Sequence, residues 1–133
     1  MKLTLAKAEK MLRVAKAKAK EIGIPMSIAI VDAGAHLLAF ERMDGAQILS
    51  VQVAQDKATT AAAIGMPTHE LGPMSSPGGP AYGLAAYRNV VVFGGGFPIK
   101  WKGVVVGGVG ASGGPVEKDM EVSRAALAAI KSD

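Results

Sequence analysis

The sequence predicts an α+β domain, a mainly antiparallel five-stranded sheet flanked by helices in the order α-β-β-α-loop-β-β-β-α. Three observations carry this reading. Two pairs of short β-prone runs, 26–32 with 36–42 and 97–101 with 104–110, are separated only by turn residues, so each pair closes as a hairpin. Helical periodicity is confined to three stretches, at the beginning, middle and end of the chain. Strands that follow strands, instead of alternating with helices, belong to α+β folds. Neither an internal repeat nor a linker divides the 133 residues, which gives one domain over 1–133.

The first helix is expected over 4–22. Leu5, Ala8, Leu12, Ala15, Ala19 and Ile22 recur at helical spacing, Thr4 can cap the start, and Gly23 and Pro25 end it. Met26 to Asp32 reads as a strand. Its run Ile28-Ala29-Ile30-Val31 is apolar toward both faces, which suits a central position. After the Ala33-Gly34 turn, 36–42 alternates, with His36, Leu38, Phe40 and Arg42 on one face. Asp44 is the expected cap of an Ala-rich helix over about 46–64.

Residues 65–87 hold five Gly and four Pro, and only a helical turn near Thr68–Leu71 is expected there. Met66, Leu71, Met74 and Tyr82 supply apolar anchors for an ordered functional loop. Asn89 to Phe93 reads as a strand ending at Gly94-Gly95-Gly96, and Phe97 to Trp101 as the next. Lys102-Gly103 makes the tight turn into the strand 104–110. Pro115, Glu117 and Asp119 suit the start of a last helix over 115–131.

Composition narrows the function. With no cysteine, disulfides, thiolate catalysis, thioether-linked haem and Cys-based zinc sites are excluded. Half the residues are hydrophobic, yet the longest apolar candidate, 90–109, is interrupted by glycines, Pro98, Lys100 and Lys102. The apolar surplus therefore points to a buried interface in a homo-oligomer and not to a membrane partner. The N-terminus runs into a Lys/Ala helix with no apolar signal region, so a cytoplasmic location is expected. The net charge is +4, and its main source is Lys2, Lys7, Lys10, Arg13, Lys16, Lys18 and Lys20. No aromatic residue lies among them, so they read as a solvated helix face and no nucleic-acid partner is expected.

Gly108-Val109-Gly110-Ala111-Ser112-Gly113 matches G-x-G-x-x-G between a strand and a helix. A dinucleotide fold needs a further parallel strand with an acid, and the last helix takes up the residues that would supply it. The glycine-lined helix start can still hold a carboxylate through free N–H groups, or can simply pack closely. Gly94-Gly95-Gly96 bares the backbone for a ligand or another chain, or marks a bulge. His36 reads as an exposed strand residue or a ligand, and His69 as a solvated loop residue or an axial haem ligand. Met43, Met66 and Met74 suit a pliable apolar wall, and a thioether can also hold haem iron. No spacing suits a metal-ion site.

Several blocks together resemble the GlcG/HbpS family, also called the haem-degrading domain family, which includes the C-terminal domain of PduO-type proteins. They are Ile30 to Ala46 (IVDAGAHLLAFERMDGA), Lys57-Ala58, Pro77-Gly78-Gly79-Pro80 with Tyr82-Gly83-Leu84, Phe93 to Pro98 (FGGGFP), Val106 to Gly114 (VGGVGASGG), and Glu117-Lys118-Asp119. The resemblance covers about 26–120. It implies an antiparallel sheet with flanking helices, closed oligomers, and haem binding in some members. It also implies a haem-ligating histidine near the first helix, whereas residues 1–25 contain none. An iron ligand would then come from His36, His69, a methionine or an oxygen donor.

The first reading is therefore a haem- or small-ligand-binding protein with its pocket at a subunit interface. The expected contacts are His36, Arg42, His69, Gly78, Gly79, Tyr82, Gly94, Gly95, Gly96, Ser112, Gly113 and Gly114, with Arg42 or Lys57 meeting the carboxylates of the ligand. The alternative is a small-metabolite isomerase, lyase or hydratase. There Lys57 or Arg42 would hold an acid, and Glu117 or Asp119 would move a proton. A third reading is a structural accessory oligomer.

Overall fold

The computed structural model describes residues 1–131, so the last two residues of the expected domain lie outside the described residues. Helix α1 spans Leu5–Ile22, strands β1 and β2 span Ser27–Asp32 and Leu37–Arg42, and helix α2 spans Ile48–Ile64. A 3-10 turn at Thr68–Glu70 leads into a short helix α3, Leu71–Ser75, and a second 3-10 turn follows at Leu84–Ala86. Strands β3, Gly96–Trp101, and β4, Val104–Ser112, precede the last helix α4, Val116–Lys131.

The sheet has four strands in the order β2-β1-β4-β3, and every neighbouring pair is antiparallel. The expected fifth strand at 89–93 does not form. Three consecutive valines favour extended backbone, but Asn89 turns with φ 64°. The Val91 N–H then donates to Thr60 Oγ1 of α2 at 3.1 Å, not to a neighbouring strand. Beyond it, the Val92 carbonyl lies against Gly72 of α3. The segment is thus held by helices, and β3 remains a sheet edge. Its Pro98, which has no N–H to give, is tolerated at such an edge.

The other predicted elements lie within a few residues of expectation, while α3 and the turn at Leu84–Ala86 fall within the stretch expected to be loop. Thr4 caps α1, its Oγ1 accepting the Lys7 N–H at 3.2 Å. Gly23, with φ 84°, closes the helix and returns its N–H to the carbonyls of Ala19 and Lys20. Asp44 does not cap α2, because a turn at 44–45 intervenes and Gln47 occupies the cap position without a side-chain bond.

Strand β1 is central and buried, as its two-faced apolar run requires. Ile28 and Ile30 face a core closed by α1 and α4, with Met11, Leu12, Ile99, Val109 and Val122. Ala29 and Val31 face the opposite layer, α2, through Ala54, Ala58 and Ala62. On that side α2 lies directly on β4. A Cβ at Gly108 or Gly110 would collide with the carbonyls of Ala58 or Ala54. Gly108 and Gly110 of the G-x-G-x-x-G match therefore serve close helix-on-strand packing. Since β4 is antiparallel to both its neighbours, the match is not a dinucleotide-binding unit.

Candidate functional site

Two regions collect the chemistry. In the first, Lys57 of α2 reaches around the end of the sheet to Asp119 in the first turn of α4. Its Nζ lies 2.9 Å from Asp119 Oδ2 and 2.9 Å from the Ala111 carbonyl. The Phe93 ring covers the same ammonium at 5.2 Å. Asp119 Oδ1 accepts the Gly114 N–H at 2.9 Å. The carboxylate held at this glycine-lined helix start is thus the chain's own.

The glycine run makes this passage possible. A Cβ at Gly95 would stand 2.6 Å from Lys57 Nζ, and one at Gly94 would stand 2.6 Å from Met120 Sδ. The Gly95 carbonyl accepts from Ser123 Oγ at 2.7 Å and from the Ala111 N–H at 3.0 Å. The Gly96 N–H donates to Thr68 Oγ1 at 3.0 Å. Gly94, Gly95 and Gly96 are therefore buried against side chains of their own chain, and Ser112 is buried beside them.

Burial dominates the titration of both charged groups. It pushes the Lys57 ammonium below its ordinary value of 10.5, against the pull of Asp119. It also holds the Asp119 carboxyl above 3.8, against Lys57 and the N–H groups of Gly114 and Gly113. Of the three residues expected to serve catalysis, the fold joins Lys57 and Asp119. Glu117 is exposed on the same turn of α4.

The second region is a surface groove of about 550 Å³ between the C-terminal half of α1 and the end of β2. Ala19, Ile24, Pro25 and Met43 give it apolar walls, and Lys16, Lys20 and Arg42 bring cations to it. Glu41 and Asp44 line it too, and Glu41 Oε1 pairs with Lys16 Nζ at 2.5 Å. The Met43 sulfur accepts the Met26 N–H at 3.4 Å.

The remaining expected contacts are spread over other parts of the molecule. His36 is exposed at the opposite end of β2, its Nδ1 3.5 Å from Asp32 Oδ1. Asp32 also accepts the N–H groups of Gly34 and His36, and the His36 N–H is the main reason its carboxyl lies below 3.8. His69 is half-buried, its ring 5.7 Å from Phe97, and its Nδ1 is buried without a hydrogen-bond partner. Gly78 and Tyr82 are exposed and Gly79 packs on the Met74 carbonyl, all in the 76–93 arm between α3 and β3. Gly113 and Gly114 pack on Met26 and Ile24.

Of the groove residues, Arg42 and Met43 are legible in the sequence as ligand contacts, whereas Lys16, Lys20 and Ile24 are not. The lysines were indistinguishable from the rest of the basic stripe until β2 was laid beside α1. Phe93 was legible only as the residue before the glycines.

The α-β-β-α…β-β-α architecture places helices on both faces of a small antiparallel sheet and a groove beside the first helix. The chain belongs to the family described as haem degrading protein HbpS-like, which it matches over residues 3–128. It is 41% identical over 127 residues to an uncharacterised 15.0 kDa protein from the dhaT-dhaS intergenic region of Citrobacter freundii, covering 94% of this chain and 89% of that protein. It is 39% identical to the corrinoid adenosyltransferase PduO of Citrobacter freundii over 98% of this chain, but it spans only 39% of that protein's length. Among solved structures, a PduOC:heme complex superposes with a TM-score of 0.95 at 37% identity, covering 98% of this chain and 96% of that one.

Proposed function

We propose that this protein binds haem or a closely related tetrapyrrole, and that it does so in the groove between α1 and β2. The observation that carries the reading is the groove's two-part chemistry. Haem is a flat apolar ring bearing two carboxylates. Ala19, Ile24, Pro25 and Met43 offer apolar surface to the ring, and Lys20 and Arg42 offer cations to the carboxylates, while Lys16 is paired with Glu41. A volume of about 550 Å³ is within the range of ligand pockets. The likeness to PduOC, solved with haem, supports the same ligand class. Once bound, haem would supply its own iron chemistry; the chain's residues hold and orient the ring. Titration of the purified protein with hemin, read by Soret absorbance, is expected to give a saturable band. A change that grows without saturation would contradict the proposal.

The reading includes assembly with further copies of the chain. Ile48 is 85% exposed, Leu49 70%, Tyr82 70% and Tyr87 72%, and Phe93 and Val104 are exposed as well. So much outward apolar surface on a small domain suits an interface between copies. Among the described residues, no helix is long and apolar enough to cross a membrane.

A further inference from the structure

The groove fits the carboxylates and ring of haem better than it fits the iron. Proteins hold haem iron with His, Cys, Met or Tyr. The lining contains no His, Cys or Tyr, and the chain has no cysteine at all. Its one methionine, Met43, already takes the Met26 N–H on its sulfur. Its oxygen donors are the carboxylates of Glu41, which pairs with the Lys16 ammonium, and Asp44, and neither carboxylate is among the side chains that hold haem iron.

Neither histidine of the chain reaches the groove. His36 precedes β2, whose far end carries Arg42. Six residues of extended strand separate the two by about 20 Å. His69 packs against Phe97 of β3 with the two rings tilted, and β3 is the sheet edge opposite β2. Three strand spacings alone separate those edges by about 14 Å.

We infer, building on the proposed tetrapyrrole reading, that the groove recognises the carboxylates and apolar face of a porphyrin and not its metal, so that metal-free protoporphyrin is a ligand in its own right. Recognition rests on Lys20 and Arg42 at the rim and Ile24 and Pro25 against the ring. These contacts are the same whether or not iron sits at the ring's centre. The chemical class of ligand is a dicarboxylate porphyrin, metallated or free.

The test is a side-by-side titration of the full chain with hemin, by Soret absorbance, and with metal-free protoporphyrin, by its fluorescence. The expected result is saturable binding of both, with dissociation constants within about threefold of each other. Lys20→Glu/Arg42→Glu is expected to weaken both equally. His36→Ala and His69→Ala are expected to leave the hemin spectrum unchanged. Hemin binding tenfold or more tighter than the metal-free ring would overturn the inference while leaving the tetrapyrrole reading intact. So would a six-coordinate hemin spectrum lost in His36→Ala, His69→Ala or Met43→Leu, including through a histidine supplied by a second copy. Saturable binding of neither ring would overturn the reading itself.

Discussion

Lys57 Nζ and Asp119 Oδ2, from helices on opposite faces of the sheet, meet at 2.9 Å in the interior of the protein. Each charge is closed off. The ammonium has Asp119, the Ala111 carbonyl and the Phe93 ring, and the carboxylate has the ammonium and the Gly114 N–H. A pair so enclosed ties α2 to α4 around the strand end and fixes the Phe93–Gly96 segment between them. Removing one partner leaves the other buried and uncompensated. Lys57→Met alone and Asp119→Asn alone are each expected to cost about 3–5 kcal/mol. The double variant is expected to cost clearly less than the two singles together. Urea denaturation of the four proteins in a double-mutant cycle checks this, and simple additivity would refute the coupling.

The same pair carries a pH signature. The Asp119 carboxyl is held above 3.8, so the native state binds a proton there more tightly than the unfolded chain does. Its contribution to stability falls as pH rises from 3.8 through its raised folded value. The Lys57 ammonium is held below 10.5, so the native state releases its proton first. Its contribution rises as pH climbs from its lowered folded value toward 10.5. The stability of the wild type minus that of Lys57→Met/Asp119→Asn, measured across pH by denaturation, is therefore expected to trace a trough with its floor at intermediate pH. A flat difference, or a maximum at intermediate pH, would show that burial does not dominate these groups.

Gly95 is the narrowest point of the Lys57 passage. With φ 129° and a Cβ that would lie 2.6 Å from Lys57 Nζ and 2.7 Å from the Ala111 carbonyl oxygen, Gly95→Ala is expected to cost about 2–4 kcal/mol. Gly83 also has a positive φ, 93°, but faces open space, so Gly83→Ala should cost only about 1 kcal/mol. Thermal and urea unfolding of the two variants, compared with the wild type, separate the packing demand from the backbone demand. Equal losses would contradict the packing account.

Much of this fold was legible in the sequence, and the exceptions are instructive. The hairpin 97–101/104–110 showed itself through Lys102-Gly103, where φ values of 50° and 81° make the tight turn. The two-faced run of β1 revealed a central strand. The valines of 89–93 carried as strong a strand signal, but their partners were Thr60 and Gly72, residues on helices that no periodicity connects to them. The site was legible in parts. Lys57, Asp119 and the glycines stood out singly, while their meeting depends on a separation of 62 residues. The groove was less legible still, because its lysines look like any solvated helix face until β2 lies beside them.

Assembly is open to a direct check. The 76–93 arm holds Tyr82 and Tyr87, both more than two-thirds exposed, without sheet pairing of its own. If the arm is an interface between copies, Tyr82→Asp/Tyr87→Asp should lower the mass seen by light scattering after size exclusion while the far-UV circular dichroism stays unchanged. A wild type that runs as a monomer would contradict the proposed assembly.

The central claim is that the groove beside α1 holds a tetrapyrrole by charge and apolar contact. Its most direct test is the hemin dissociation constant of the wild type against Lys20→Glu/Arg42→Glu. Both side chains sit at the surface, so the fold should survive the change. Replacing two attractive charges by two repulsive ones is expected to weaken binding by roughly tenfold to a hundredfold. Saturable hemin binding of equal strength in the two proteins would place the ligand elsewhere and contradict the account.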